Sequence, residues 1–299
     1  MTSTAEPADP ARSFGAVAQA YHRGRPGYPL EAAAWLAGEQ PSSVLELGAG
    51  TGKLTRPLVE LGHDVHACDP DEQMLAMLRS ELPGVRSSLS SAEEIPAGDR
   101  SADVVVVGQG FQWFDLELAL PEIARVLRPG GHLAIAWNER DERIPWVRRL
   151  GRIIDSAHPA DPADLLAATS DLFADAEHTT FRHRQHVDRE SLQDLVTSRS
   201  GVCTLDRESA EQRRHAAGAL FDEYGRGGVD GMLLPYLTRC RRARVLPTTN
   251  PVEDPPDAPS DAHDSPMVIT TGSIRRIEVE LAKAPQAAVD DGLLLIDFR

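Results

Sequence analysis

A glycine-dense segment between two apolar runs constrains the fold of this chain more than any other feature. The run Val44–Leu47 leads directly into Gly48-Ala49-Gly50-Thr51-Gly52, and Asp69 ends a second apolar run. Glycine has no Cβ and tolerates positive φ, so such a turn lets the backbone approach a ligand closely. An acid about 20 residues after the turn is the usual acceptor for ribose hydroxyls in nucleotide-binding α/β folds. The segment predicts a strand, a ligand-binding loop and a helix in succession.

Length and composition are those of an ordinary soluble globular protein. The 299 residues are 41% hydrophobic and 26% charged, which allows one large domain or two small ones. No apolar run reaches the roughly 18 residues of a membrane span, and Met1–Arg12 lacks the apolar core of a signal peptide. Cys68, Cys203 and Cys240 are scattered and fit reduced thiols, with no zinc spacing or disulfide framework. We expect a cytoplasmic protein with no metal site and no membrane association.

The net charge of −15 at pH 7 is also informative about partners. Phosphate backbones favour a basic surface, so this charge argues against general nucleic-acid binding. We therefore expect no nucleic-acid partner.

Apolar runs alternate with helical periodicities from residue 44 to residue 138, which predicts a parallel sheet with right-handed crossovers. The four consecutive valines Val104–Val107 suit a central strand that is covered on both faces. Strands are expected at residues 44–47, 64–69, 85–89, 103–107, 132–137, 179–187 and 233–245. Helices are expected at residues 54–61, 74–82, 116–127, 145–175 and 210–224, the first of them bent or shortened by Pro57.

The ends of the chain differ from this alternating region. Residues 1–12 are expected to be disordered, and residues 13–246 to form one domain that begins with two helical pieces at 13–37, broken at Arg25–Pro29. Residues 247–266 are rich in Pro, Asp, Ser and Thr, the composition of a linker without a core. Residues 267–299 form a C-terminal tail without an interpretable motif.

Two common glycine loops do not fit this sequence. A P-loop needs Ser or Thr after its Gly-Lys pair, and here Leu54 follows Gly52-Lys53. A dinucleotide fingerprint needs a third glycine at the position of Lys53. The pattern that remains is Glu-x-Gly-x-Gly-x-Gly, from Glu46 to Gly52.

Several motifs in this order resemble the class I S-adenosylmethionine (SAM)-dependent methyltransferases, and more narrowly the methyltransferase type 11 and trans-aconitate methyltransferase-like branch. The resemblance extends from about Phe14 to about Leu246 and rests on Tyr21–Pro29, Val44–Gly52, Asp69-Pro70, Ser91-Ala92-Glu93, Gln109–Asp115 and Arg125–Gly131. It implies an α/β fold: a Rossmann-like doubly wound seven-stranded sheet, mostly parallel with an antiparallel last strand, and helices on both faces. SAM would lie over the carboxyl ends of the strands, where ligands of open α/β sheets bind.

The resemblance also implies roles for individual residues in cofactor binding. Glu46, Gly48 and Gly50 would bound the methionine pocket, and Asp69 would accept both ribose hydroxyls. Met74 would pack against the adenosine, Ser91 and Ala92 would flank the adenine, and Gln109 would lie near the sulfonium. Tyr21 and Arg25 would belong to an N-terminal lid, with Arg25 binding the methionine carboxylate.

The methyl acceptor is expected to be a small molecule bound by aromatic and amide side chains. The candidates are Tyr28, Trp113, Phe114, Trp137 and Asn138. Two positions depart from the family pattern: Ser91 stands where Asp is frequent, and Gln112 stands where His usually precedes the Trp. No catalytic base is assigned, because methyl transfer needs one only for a protonated nucleophile.

Two alternative functions remain open at this point. One is an NAD(P)-dependent Rossmann oxidoreductase, which Lys53 in place of the third glycine and the absence of a Tyr-x-x-x-Lys pair oppose. The other is a non-catalytic SAM-binding module, for which Ser91 and Gln112 leave room.

Overall fold

The computed structural model describes residues 18–154, 171–174, 176–199, 205–225 and 231–247. These residues belong to one compact unit, Met1–Asn250. The expected disordered N-terminus, the tail and all but residue 247 of the expected linker lie outside the described residues, so those parts of the domain division stay predictions.

Seven strands form one sheet in the order β3-β2-β1-β4-β5-β7-β6. Strands β1 to β5 pair in parallel, and β7 is inserted between β5 and β6 and runs antiparallel to both. This arrangement confirms the predicted mostly parallel sheet with an antiparallel last strand. The strands are β1 Ser43–Leu47, β2 Asp64–Asp69, β3 Arg86–Leu89, β4 Ala102–Gly108, β5 Leu127–Arg140, β6 Glu177–Val187 and β7 Met232–Arg244.

Helices connect the strands on both faces of the sheet. They are α1 Ala18–Gly24, α2 Leu30–Ala37, α3 Thr55–Glu60, α4 Glu72–Glu81, α5 Leu116–Val126, α6 Pro145–Ile154, α7 Arg189–Thr197 and α8 Arg207–Tyr224. Asp71 caps α4 by accepting the backbone N–H groups of Gln73 and Met74, and Asp188 forms a capping box at the start of α7.

The valine strand explains why helices cover both faces. Val105 and Val107 belong to a core cluster that packs against α5, whereas Val104 and Val106 belong to a second cluster that packs against α2 and α3. Successive side chains of a strand point to opposite faces, so four consecutive valines fill both layers. The strand is central, as its continuous apolar run predicts.

The structure differs from the sequence-based expectations at four places. Strand β5 begins at Leu127, directly after α5, and is longer than the predicted 132–137. Pro57 lies in the first turn of α3, where its missing N–H removes no helical hydrogen bond. Within the predicted helix 145–175, Phe173 instead forms an isolated bridge with Val245, and residues 155–170 are not described. Helix α7 was not predicted.

Candidate active site

A cleft lies at the carboxyl ends of β1, β4 and β5. The space between its walls amounts to about 450 Å³, a volume that includes open solvent. Seven of the predicted site residues line it: Tyr21, Arg25, Tyr28, Glu46, Gly48, Gln109 and Asn138. Its other lining residues are Pro26, Ala49, Lys53, Leu54, Gly108 and Arg199, none of which was predicted as a site residue.

The glycine loop adopts the conformation for which glycine is needed. Gly48 and Gly50 have φ values of 66° and 55°, in the left-handed region that side chains with a Cβ rarely adopt. The loop is tied to the end of β2, because the backbone N–H of Gly50 donates to Asp69 Oδ2 at 2.8 Å. The motif and its distant acid therefore form one structural unit.

Asp69 is buried at the tip of β2. Its second oxygen, Oδ1, accepts the backbone N–H of Asp71 at 2.9 Å. Burial raises the pKa of Asp69 to about 6, although the two backbone donors oppose that shift. Each carboxylate oxygen has a further lone pair, so both can accept another hydrogen bond.

Glu46 is 1% exposed on β1 and belongs to the lining of the cleft. Its Oε2 accepts the hydroxyl of Thr55 at 2.7 Å, at the first residue of α3. Burial raises the pKa of Glu46 to about 8, and the Asp69 carboxylate adds to that shift while the Thr55 bond opposes it. Strongly perturbed carboxyl pKa values are frequent at functional sites.

The residues at the end of β4 contact the end of β5 and the side chain of Tyr28. Gln109 has a φ of 63° although it is not glycine, and its Nε2 donates to the carbonyl of Asn138 at 3.2 Å. Such left-handed residues are frequent at functional sites. At Gly108, a Cβ atom would lie 2.8 Å from the Tyr28 hydroxyl, so glycine is required for Tyr28 to reach this position.

Asn138 connects the sheet to the N-terminal segment. Its Nδ2 donates to the carbonyl of Gly27 at 2.9 Å, and its Oδ1 accepts the hydroxyl of Thr238 on β7 at 2.6 Å. The same Oδ1 lies 3.2 Å from His183 Nε2 on β6. Asn138 lines the cleft, and its amide is engaged in holding three segments together.

Tyr21 and Arg25 form the N-terminal wall of the cleft, and Ser198, the residue after α7, holds this wall in place. Arg25 donates from Nε to Ser198 Oγ at 3.2 Å and from Nη2 to the Ser198 carbonyl at 2.8 Å. Its guanidinium lies over the Tyr21 ring, 4.8 Å from the centroid. Arg25 is thus at the cleft, as the resemblance implied, and its guanidinium already has protein partners.

The residues expected around the adenosine follow strands β2 and β3 along the chain and do not line the cleft. Met74, in the first turn of α4, is 3% exposed, and Ala92 is 4% exposed. Ser91 is half-buried, and the preceding residue, Ser90, donates its N–H to the Asp69 carbonyl at 3.1 Å. The fold therefore brings these residues to the same edge of the sheet.

Three residues expected in the acceptor wall are placed elsewhere. Trp137 is 6% exposed and lies in the core cluster that packs against α5. Phe114 packs at the edge of the same cluster and contacts the ring of Phe111. Trp113 is 43% exposed on the short 3-10 helix Phe111–Trp113.

The fold and the cleft together define a class of protein. A seven-stranded sheet in this order, a glycine loop after β1 and an acid at the end of β2 are the architecture of the class I SAM-dependent methyltransferases. A family model described as a methyltransferase domain matches residues 45–135, which span β1 to β5.

The chain belongs to this methyltransferase family. An uncharacterized methyltransferase of Mycobacterium tuberculosis (strain H37Rv) is 43% identical over 246 residues, which cover 79% of this chain and 97% of the relative. An uncharacterized methyltransferase of Schizosaccharomyces pombe is 35% identical over 211 residues, covering 67% of this chain and 84% of the relative.

Among solved structures, a methyltransferase from Anaeromyxobacter dehalogenans has the same fold. It is 24% identical, with a TM-score of 0.56, and the match covers 75% of this chain and 99% of that one. The comparisons do not support an oxidoreductase or a non-catalytic module. Within the described residues, no helix has the length and apolar character needed to cross a membrane.

Proposed function

We propose that this protein transfers a methyl group from SAM to a small-molecule acceptor in the cleft between the glycine loop and the N-terminal wall. The observation that carries the proposal is the pair of buried carboxyl groups: Glu46 lines the cleft, and Asp69 is bonded to the glycine loop. Both have raised pKa values, of about 8 and about 6. A cationic ligand rich in hydroxyl and ammonium donors would supply what these carboxyl groups lack.

The residues fit SAM in chemical character along the sheet edge. Asp69 offers free lone pairs to a ribose diol, and Met74, Ser91 and Ala92 are the proposed neighbours of the adenosine. Glu46, Gly48 and Gly50 are the proposed boundary of the methionine pocket, where Glu46 would become ionised beside an ammonium group. Tyr21 and Arg25 form the N-terminal wall, and Arg25 brings the positive charge proposed to bind the methionine carboxylate.

SAM supplies an electrophilic methyl group on a sulfonium, which an acceptor nucleophile displaces in line. The protein contributes by position: holding two reactants at near-attack distance in a site that excludes water is worth up to roughly 7–11 kcal/mol in favourable cases. Gln109 is held by its left-handed backbone and its bond to the Asn138 carbonyl, and we propose that it lies near the sulfonium. Tyr28 and Asn138 line the same cleft and are the proposed acceptor contacts.

The acceptor is proposed to be small because the cleft is narrow and walled by α1 and the segment that follows it. Trp113, Phe114 and Trp137 do not line the cleft, so of the residues expected to contact the acceptor only Tyr28 and Asn138 remain proposed contacts. The cellular location is proposed to be the cytoplasm, which the free buried thiols of Cys68 and Cys240 support.

Calorimetry and a labelling experiment test the proposal. The full chain is titrated with S-adenosylhomocysteine, SAM, NAD⁺ and NADP⁺, and it is then incubated with methyl-labelled SAM and the small-molecule fraction of its native extract. We expect saturable binding of the two adenosyl ligands and a labelled product of low mass. Binding of NAD⁺ or NADP⁺ without SAM, or label found only in macromolecules, would contradict it.

A further inference from the structure

Two side-chain amides line the cleft at the ends of β4 and β5, and the first of them, Gln109, has a fixed orientation. Its Nε2 lies 3.2 Å from the backbone carbonyl oxygen of Asn138. A carbonyl oxygen only accepts hydrogen bonds, so the nitrogen of the amide must face it. The oxygen Oε1 of Gln109 is therefore on the other side of the amide group, and no described residue donates a hydrogen bond to it.

The second amide, the side chain of Asn138, is fixed at both ends. Its Oδ1 accepts the Thr238 hydroxyl at 2.6 Å, and its Nδ2 donates to the Gly27 carbonyl at 2.9 Å. An amide nitrogen carries two hydrogens, so one N–H of Asn138 has no acceptor within the part of the chain that the structure describes. Together the two amides offer a ligand of the cleft one acceptor oxygen and one donor N–H.

The main chain holds Gln109 in a conformation that costs free energy. Its φ of 63° is in the left-handed region, which is uncommon for a residue other than glycine. Its backbone N–H donates to the Ala136 carbonyl at 3.0 Å, which fixes the main chain to β5. Backbone strain of this kind is concentrated at functional sites. Both the main chain and the side chain of Gln109 are thus held, so its Oε1 is presented in one position.

An amide oxygen selects among the nucleophiles that a methyl acceptor can carry. It accepts a hydrogen bond from N–H or O–H, but an amide is too weak a base to remove the proton. A thiolate or a carboxylate has no hydrogen to donate to Gln109. A hydroxyl must lose its proton to attack, and burial raises the pKa of the neighbouring Tyr28, so that residue stays protonated. A neutral nitrogen donates N–H to Gln109 and still attacks with its lone pair.

The charges in the cleft restrict how basic this nitrogen can be. Arg199 also lines the cleft, and although burial lowers its pKa, a guanidinium keeps its proton in proteins. The sulfonium of the proposed cofactor is a second positive charge. Nearby positive charges disfavour an ammonium ion, and an aliphatic amine is mostly ammonium near neutral pH, without a lone pair for attack. An aromatic amine is neutral at this pH and fits the site better.

We propose that Gln109 is a specificity-determining residue that accepts a hydrogen bond from the N–H of an aromatic amine, the methyl acceptor, while Asn138 donates to a second polar atom of that molecule. This inference rests on the proposed function, because it names the acceptor class of the same cleft. The nitrogen lone pair forms the new N–C bond as the bond between the methyl carbon and sulfur breaks, and the electron pair of that bond stays on sulfur. A proton then leaves the methylated nitrogen for water.

The first arm of the test uses the full wild-type chain saturated with S-adenosylhomocysteine and probes of matched shape with one or two aromatic rings. Aniline-type amines are compared with their N,N-dimethyl derivatives, with phenols, thiophenols and aromatic carboxylates, and with benzylamine-type amines, which are ammonium ions. Ligand-observed NMR at millimolar concentration measures binding. We expect the aromatic amines to bind about tenfold more tightly than every other class, because only they satisfy the Gln109 oxygen without a charge. Equal or tighter binding of another class, or no binding by any aromatic amine, overturns the inference.

The second arm changes Gln109 itself. Gln109→Met keeps the length of the side chain and removes the acceptor oxygen, so binding of aromatic amines should fall about tenfold while the affinity for S-adenosylhomocysteine stays within about twofold. Gln109→Glu places a negative charge at the same position and should reverse the preference, so that benzylamine-type ions bind more tightly than anilines. A purely structural role of Gln109 would not produce this reversal.

The control variant is Gln212→Met, an exposed glutamine on α8 that bonds to Glu208, which should change nothing. An unchanged preference for aromatic amines in Gln109→Met overturns the inference, as does the absence of a gain in ammonium binding in Gln109→Glu. Loss of S-adenosylhomocysteine affinity in both variants would assign Gln109 to the cofactor alone and also overturn it. Failure of the wild-type chain to bind S-adenosylhomocysteine is a separate result, which would refute the proposed function.

Discussion

The carboxylate of Asp69 accepts the backbone N–H of Gly50 at 2.8 Å, so the end of β2 holds the glycine loop of β1 in place. A second backbone donor, from Asp71, fixes the other carboxylate oxygen. The carboxylate is therefore oriented before any ligand arrives, and its remaining lone pairs face a defined direction. Preorganisation of this kind lowers the entropic cost of binding.

Replacing Asp69 by Asn should weaken SAM and S-adenosylhomocysteine binding at least tenfold. The substitution keeps the shape of the side chain and removes the charge, and hydrogen bonds to a charged group are worth about 1.5–3 kcal/mol each. Calorimetric titration measures the change. Asp64→Asn, at the exposed start of the same strand, is the matched control. Equal affinities in the two variants would refute the assigned role of Asp69.

Glu46 should make the stability of the unliganded protein depend on pH. Its pKa is about 8 in the folded protein, against 4.5 ordinarily, so between those values the folded chain keeps a proton that the unfolded chain releases. The free energy of unfolding then falls as pH rises toward 8, by up to about 1.4 kcal/mol per pH unit. Glu46→Gln keeps an acceptor for Thr55 and should remove this slope.

Urea denaturation of both proteins at pH 6, 7 and 8 measures the difference. Over this range the contribution of Asp69, whose pKa is about 6, is largely complete, so the difference between the two proteins isolates Glu46. Parallel pH profiles for wild type and variant would show that Glu46 ionises normally.

Gly108→Ala should destabilise the protein by about 1–3 kcal/mol, the usual cost of overpacking. The added methyl group would lie 2.8 Å from the Tyr28 hydroxyl oxygen and 3.2 Å from its Cζ. Gly27→Ala is the control, since no atom lies within 4 Å of the corresponding position. Thermal denaturation should separate the two variants clearly. A Gly108→Ala protein as stable as Gly27→Ala would mean that Tyr28 moves away freely.

Asn138→Ala should cost about 2–4 kcal/mol, because it removes the bond to the Gly27 carbonyl and leaves the fully buried Thr238 hydroxyl without its acceptor. Thr238→Val removes only one of these bonds and keeps the side-chain shape, so its cost should be smaller. Chemical denaturation gives both free energies. A larger loss in Thr238→Val than in Asn138→Ala would refute the connecting role of Asn138.

Local patterns predicted the parts of the site that are close in sequence. The glycine loop, Glu46 and Asp69 belong to adjacent elements whose order along the chain dictates their proximity, and the valine run dictated a central strand. Trp137 was expected in the acceptor wall as an aromatic side chain, yet it shares a face with Leu133 and Ile135 and is buried with them. Which face of a strand meets a core depends on the neighbouring helices, and a single strand does not reveal it.

The residues on the far side of the cleft could not be predicted in this way. Arg199 follows a helix that lacks a distinctive motif, and it reaches the cleft only because α7 packs on α1. The close approach of Tyr28 to Gly108 likewise joins two segments 80 positions apart, and neither residue alone indicates it. Contacts between distant segments follow from packing, which periodicity does not encode.

The bonds between Arg25 and Ser198 join residues 173 positions apart, and this separation has a consequence for biosynthesis. A ribosome translates the N-terminal wall first, long before the segment that anchors it has been made. Arg25 therefore cannot form these bonds until translation has passed codon 198 and this part of the nascent chain has emerged from the exit tunnel. Catalytic competence should therefore arise only after the segment around Ser198 has been translated and has left the tunnel.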